Sequence, residues 1–487
     1  MSRFLKLMSI LAIVALIAVP AFAEVQNVKV SGDIDSKAIS RNQYDFSNGN
    51  SNGNAQPGTF SYNDNDTWFN TTARVQVDAD LTDNVSTVVR LLNERDWGVE
   101  APAGNTSGDT TIALDLANVK MKEIFCQPLA LTIGRQNIRL GSGLVVGDPD
   151  TNDMSVNGAA FAGDLSVRKS FDAIKATLDY NPLTVDLIMA KIDSNTVGRA
   201  LTTTGSRTKD DVDLYAVNAA YKFNKYNSEL EGYLITKIDQ SIGTTTPLKD
   251  QVNVYGIRGS LEPISKLILD AELAYQNGSY ADATISRTID REAWAGDVGA
   301  QLAVGTKWSP VLAARYSYRS GQQSPGTDAD ADAENYAGGQ AKTNKYEAWD
   351  TMFEDQTHGI IANAIFSNNN DGVDSNGHTI NVMASVVPLQ DLTVAVDYYH
   401  YLLAEKWYSD NQAGSTLSNR IMNNGNTSYE VKDKTDLGDE VDVSLAYDYT
   451  EDVKLGLTAG FFLPGKAFQT NNENMASTVM ADVKVSF

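Results

Sequence analysis

Apolar and polar residues alternate along much of the chain, in segments of about ten residues. Residues 74–81 read RVQVDADL, residues 441–447 read VDVSLAY, and residues 479–487 read VMADVKVSF. Successive side chains of a β-strand point to opposite faces of the sheet. The pattern therefore predicts an all-β fold whose strands have one apolar face and one polar face.

The first residues have the features of a secretory signal peptide. Arg3 and Lys6 precede an apolar stretch over 7–19, and Ala21-Phe22-Ala23 places small residues at the cleavage site. We therefore predict cleavage after Ala23, which leaves one domain over 24–487. The apolar stretch 7–19 is shorter than the ~20 residues of a membrane-spanning helix. No long apolar stretch follows it, so a membrane location would require a closed β-barrel, which pairs every backbone group between strands.

Short and long connections alternate between the predicted strands, as in a transmembrane antiparallel barrel with short periplasmic turns and long extracellular loops. The short turns are 81–84, 124–128, 181–182, 223–227, 262–266, 306–310, 388–391 and 450–452. The long polar connections are 41–66, 97–109, 141–166, 194–209, 239–250, 277–293, 320–378, 403–437 and 464–474. These turns and the two end strands predict about 18 strands, although 16 or 20 would also suit the pattern. The apolar piece Gly359 to Phe366 is assigned to the longest loop, 320–378.

Two soluble all-β folds are the alternatives. A propeller is disfavoured because no 40–50-residue repeat is visible. A sandwich would not separate short from long connections so cleanly. The final alternating strand ends in Phe487, which resembles the sorting signal of bacterial outer-membrane barrels. We therefore expect the protein in the outer membrane of a Gram-negative-type bacterium.

Three ordered motifs resemble the alginate-export family of outer-membrane porins. They are Ile133-Gly134-Arg135-Gln136 with Arg139-Leu140-Gly141, then Trp349-Asp350 with Phe353 and His358-Gly359, and lastly Leu437-Gly438-Asp439-Glu440-Val441-Asp442 with Gly460-Phe461-Phe462-Leu463-Pro464-Gly465. The resemblance implies an 18-strand barrel whose pore carries an acidic polysaccharide, with arginines that attract uronate carboxylates. It also favours a monomer, although a trimer stays open.

Charge limits the choice of partners. The chain has 39 Lys and Arg against 62 Asp and Glu, a formal net charge of −23. Such a balance argues against nucleic acid as a partner, because its phosphates require clustered cations.

The predicted lumen mixes acidic and basic residues. The candidate pore-lining residues are Arg74, Arg90, Arg135, Arg139, Arg258 and Arg315. Arg135 shares the parity of Ile133, so it faces the lumen only if Gly134 marks a bulge.

The local spacing of residues predicts no catalytic residue, cofactor site or metal site. The single cysteine, Cys126, has no partner for a disulfide, and the three histidines lack metal-ligand spacing. Oxygen-rich loops could bind Ca²⁺, although solvated loops are the simpler interpretation. These loops are Asn63 to Asp66, Asp328 to Glu334 and Asn368 to Asp374.

Three functions follow from these observations. The first is an outer-membrane channel for diffusion or export of hydrophilic solutes, including acidic oligosaccharides or polysaccharides such as alginate. The second is a general porin with no role in polysaccharide transport. The third, an outer-membrane barrel enzyme, is disfavoured because no nucleophile is paired with a base in the sequence. We therefore predict a channel, not an enzyme.

Overall fold

A computed structural model of the chain describes most of its residues, and the predicted signal peptide lies outside them. The described ranges are 27–46, 65–98, 112–149, 163–193, 211–240, 248–282, 287–322, 345–366, 374–406, 420–423, 427–430, 434–468 and 472–487. Among these residues, no helix is long and apolar enough to cross a membrane, a finding that bears on helices alone.

Eighteen antiparallel strands form a closed barrel, which confirms the predicted fold class and strand count. Strand β1 pairs with β18 from Asp33 opposite Ser486 to Asn42 opposite Ser477, and this pairing closes the sheet. The strands are β1 (Asn27–Asn42), β2 (Asn65–Thr82), β3 (Val85–Asp96), β4 (Ala113–Lys122), β5 (Leu129–Asn137), β6 (Ser170–Asp179), β7 (Leu183–Asp193), β8 (Val212–Phe223), β9 (Ser228–Asp239), β10 (Asp250–Ile264), β11 (Leu267–Asp282), β12 (Arg287–Ala303), β13 (Val311–Arg319), β14 (Gly377–Leu389), β15 (Leu392–Leu403), β16 (Asp436–Asp448), β17 (Val453–Pro464) and β18 (Ala476–Ser486).

The connections follow the predicted alternation, with one exception. Short turns join β2 to β3, β4 to β5 and each later pair at the same end of the barrel, and the longer connections lie at the other end. The segment 277–293 was expected to be a loop, but β11 and β12 run through it and pair as far as Asp282 opposite Arg287. The outer-face residues Thr288, Asp290 and Glu292 are polar, so the sequence loses the apolar series that marks a lipid-facing strand.

The two faces of the barrel differ in character. Large apolar side chains such as Val30, Leu234 and Ile257 are exposed on the outer face. The residues next to them in sequence point inward and are mostly polar or buried. This is the arrangement expected when lipid surrounds the outer face and water fills the lumen.

The longest loop contains its own short elements. A two-residue strand, Lys345–Tyr346, precedes helix α1 (Ile360–Phe366), which confirms that this apolar piece belongs to the loop. A small hairpin, Arg420–Asn423 with Thr427–Glu430, lies in the connection between β15 and β16. The buried apolar core lies on the inner side of the wall, where loop residues pack against it.

Candidate functional site

Two connections fold into the barrel and narrow its lumen. We call residues 138–149 the first inward segment and residues 345–366 the second inward segment. They pair at Val146 and Phe353, where the Gly147 N–H donates to the Phe353 carbonyl at 2.7 Å. Val146, Phe353 and their neighbours join one buried cluster with apolar inner-face residues of β6 to β12. The cluster fixes both segments to one side of the wall.

Asp350 anchors the second inward segment electrostatically. Its carboxylate accepts hydrogen bonds from Lys237 Nζ at 2.9 and 3.1 Å, and Arg291 Nη1 lies at 3.3 Å. Gln276 binds the backbone of Asp350 through both atoms of its amide, at 2.7 and 2.9 Å. Burial opposes ionisation of Asp350, but the charges of Lys237 and Arg291 outweigh it, so its pKa falls to about 2.

Two wall acids hold the first inward segment. Glu231 accepts a hydrogen bond from the Gly141 N–H at 3.0 Å, and Glu272 accepts one from the Ser142 N–H at 2.8 Å. The Tyr233 hydroxyl donates to the other oxygen of Glu272 at 2.6 Å. Gly141 has a φ of +57°, and a Cβ there would lie 2.4 Å from Glu272 Oε1. A glycine is therefore required for this close approach.

Helix α1 is held on a different part of the wall. Glu440 accepts the N–H groups of Ile361 and Ala362 at 2.7 and 2.9 Å, so it satisfies two amides at the start of the helix. The Tyr401 hydroxyl donates to the His358 carbonyl at 2.6 Å, just before the helix. Aromatic residues from the loops and the wall bury the apolar side of the helix.

Four of the predicted pore-lining arginines lie on the inner face, where each has an acid beside it. Their formal charges are therefore offset locally, and a role in selectivity stays a prediction. The N–O separations are 2.7 Å for Arg74 and Asp33, 2.5 Å for Arg90 and Asp115, 3.7 Å for Arg258 and Glu231, and 2.8 Å for Arg315 and Asp270.

Arg135 lies elsewhere, and this corrects its expected position. Strand pairing continues through Gly134, so Arg135 keeps the outward parity of Ile133 despite the φ of +115° at Gly134. Arg135 stands opposite Asp172, whose side chain is 62% exposed, and Lys191 stands opposite Asp172 on the next strand. These charges form a row on the outer face of the barrel, away from the lumen.

Arg139 belongs to the first inward segment and meets residues that sequence reasoning did not select. Its guanidinium and the ammonium of Lys169 both contact the carboxylate of Asp355. The Arg139 and Lys169 side chains are 48% and 41% exposed, whereas Asp355 is 17% exposed. Asp355 follows Arg139 by 216 positions, so no local pattern could have indicated the contact. The result is a pair of accessible cations that share one acid.

A buried group of three potential metal ligands lies in the longest loop. Glu354, His358 and Asp374 each offer one ligand atom, and these atoms lie within 4.8 Å of one another. Burial and the nearby Arg319 charge lower the pKa of His358 to about 4, and burial raises the pKa of Asp374 to about 7. Of the predicted Ca²⁺ loops, the structure describes only a few residues, so that hypothesis is not tested. Asp374 is the last residue of the third loop.

The closed barrel with an apolar outer face and a narrowed polar lumen is that of an outer-membrane channel for solutes. The chain belongs to the alginate export family, which matches residues 48–482. Comparison with curated proteins finds no match.

Solved structures of similar fold are outer-membrane porins. Pseudomonas aeruginosa OccK1 (OpdK) and Acinetobacter baumannii OccAB1 each match with a TM-score of 0.51 and 12% identity, over 95% of this chain and 99% and 97% of theirs. Pseudomonas aeruginosa OccK2 (OpdF), solved in complex with glucuronate, matches with a TM-score of 0.50 and 13% identity, over 95% of this chain and 99% of that chain. These likenesses concern the fold.

Proposed function

We propose that this channel passes carboxylated saccharides and that Arg139 and Lys169 contact their carboxylates. The observation that carries the proposal is the pair of accessible cations beside the single carboxylate of Asp355. This cluster has one net positive charge. It lies where the inward segments narrow the lumen, so a passing solute comes close to it.

The chemistry suits a solute that binds briefly and then leaves. Arg139 can grip a carboxylate through two N–H groups, whereas Lys169 offers a compact charge. Asp355 competes for both, which weakens the hold on a solute. A conducting site must attract its solute and still release it. Two comparisons support this choice of solute. The family is described as alginate export, and the structure of OccK2 was solved in complex with glucuronate.

The net charge of −23 disfavours the approach of such a solute, and a local cationic site would offset this. A body of that charge repels polyanions over distances of about a Debye length, roughly 8 Å at physiological salt. The four wall arginines are each offset by an acid, so they do not supply an accessible excess of positive charge. Arg139 and Lys169 would then set the anion preference of the narrow region.

The test is the reversal potential of the purified protein in a planar bilayer under a KCl gradient, followed by titration with oligouronates and with neutral oligosaccharides. We expect anion preference and block by oligouronate alone. The double variant R139Q/K169Q should lose both properties, because it leaves the Asp355 carboxylate unopposed. The control R74Q, which removes a wall arginine paired with Asp33, should retain the block. Cation preference in the unaltered protein, or equal block by neutral sugars, would contradict the proposal.

A general porin is the second candidate, favoured by the ion pairing of the wall arginines. Absence of block by either sugar class would support it. The third candidate is an enzyme, and detectable hydrolysis of a substrate by the pure protein would support it. We further propose that the channel is a monomer and that residues 1–23 are a cleaved signal peptide. The mass of the cross-linked outer-membrane protein and its N-terminal sequence test these two points.

A further inference from the structure

The group formed by Glu354, His358 and Asp374 is built like a metal site. All three residues are buried, with 2%, 5% and 2% of their surface exposed. Among the described residues, His358 Nε2 and both carboxylate oxygens of Asp374 have no hydrogen-bond partner. Burying such atoms without a partner costs free energy, so native proteins seldom tolerate it without a bound group.

The charge of Arg319 acts on both carboxyl groups of the set, but this guanidinium is shared with other partners. It donates a hydrogen bond to Asp297 at 3.0 Å and another to the Tyr318 carbonyl at 3.0 Å. Its guanidinium also contacts Gln356, so it is already engaged. Its single positive charge, shared with Asp297, is smaller than the two negative charges that ionised Glu354 and Asp374 carry together, and a divalent cation would balance them.

We propose that Glu354, His358 and Asp374 bind one divalent cation of the Zn²⁺ type. A mixed nitrogen and oxygen set suits Zn²⁺, whereas Ca²⁺ prefers oxygen ligands alone. Tetrahedral Zn²⁺ places such ligands about 3.4 Å apart, so the three atoms, which lie within 4.8 Å of one another, would have to move closer by at most about 1.4 Å. Water would supply a fourth ligand.

The site would join two distant parts of the longest loop. Glu354 and His358 lie before helix α1, and Asp374 lies shortly before β14. A bound cation would therefore hold α1 and the second inward segment in one arrangement. This role does not depend on which solute the channel passes, because the proposal concerns metal content.

The experiment measures metal in the full-length protein after chelator treatment and dialysis against Zn²⁺ or Ca²⁺. We expect one Zn²⁺ per chain by mass spectrometry of the metal, and isothermal titration should show Zn²⁺ binding in preference to Ca²⁺. H358Q and D374N should each weaken Zn²⁺ binding at least about tenfold, because loss of a ligand costs no less than loss of a supporting contact.

Two variants serve as matched controls. H378Q and D439N remove the same side-chain types at sites outside the group and should bind Zn²⁺ as the unaltered protein does. Heat-dependent migration on gels verifies that every variant forms a barrel. No Zn²⁺ in the folded unaltered protein, preference for Ca²⁺, or equal binding by H358Q and H378Q would each overturn the proposal.

Discussion

The substitution D350N should release the second inward segment from the wall. The Asp350 pKa of about 2, against 3.8 for the free group, corresponds to about 2.5 kcal/mol of favourable interaction with the ionised form. Removing one partner of a buried ion pair costs about 3–5 kcal/mol. Arg291 keeps its contact with Asp250, so the loss falls mainly on Lys237. We therefore expect a cost of about 2–4 kcal/mol, which shifts the docking equilibrium roughly 30- to 700-fold.

Single-channel recording in planar bilayers measures this effect directly. D350N should show a larger mean conductance and more open-channel noise than the unaltered protein, because the lumen is no longer narrowed by a fixed segment. The matched control is D270N, which removes the same charge from a wall pair with Arg315. That pair joins two wall strands, so its loss should leave the noise unchanged.

Two results would refute this reasoning. D350N with the conductance and noise of D270N would show that the contact with Lys237 does not hold the segment. Equal noise increases in both variants would show that loss of any inner-face acid disturbs the pore. A barrel that forms normally in all samples is required for either conclusion.

Three further predictions test other parts of the structure. Lowering the pH from about 4 to about 2 should reproduce the D350N noise in the unaltered protein and should change the D350N channel little. The reason is that the folded protein lowers the pKa of Asp350, so the stabilisation from this carboxylate is lost as the pH falls through that pKa. G359A should displace helix α1, because a Cβ at Gly359 would lie 2.3 Å from the Tyr401 hydroxyl, and the displacement should appear as faster proteolysis of the loop. The control G232A should be cleaved like the unaltered protein, because a Cβ at Gly232 meets nothing closer than 3.8 Å. Cys126, exposed in a short turn, should react with an impermeant maleimide only after the outer membrane is permeabilised, and labelling of intact cells would reverse the predicted orientation.

The barrel could be predicted from the sequence because its signal is local. Alternation with a period of two depends only on neighbouring residues, and turn lengths reveal the order of hairpins. Prediction was wrong at 277–293, where the outer-face residues of β12 are polar and the apolar series of that face stops. Arg135 was a candidate pore-lining residue on the condition of a bulge at Gly134, and the strand pairing shows that the parity continues without one.

The narrowed lumen could not be predicted because its contacts join distant residues. Lys169 and Asp355 are 186 positions apart, and neither is one of the residues named in the three motifs. The Trp349-Asp350 motif did mark the second inward segment, although its resemblance gave no partner for the carboxylate. The partners on β9 and β12 follow from the register of a closed barrel, which a single sequence does not determine.

Strand β12 extends beyond the end of its neighbour β13, so part of its backbone has no partner on β13. Ala295 stands opposite Arg319 at the end of β13, and the Trp294 carbonyl still accepts the Ser320 N–H at 2.9 Å, so residues 287–293 of β12 extend beyond this pairing. Uncovered strand edges recruit strands from other molecules and promote aggregation. The two-residue strand Lys345–Tyr346 pairs in parallel with part of this edge. The loop that narrows the pore therefore also shields the barrel from strand addition by neighbouring copies, and its displacement would expose a surface for self-association.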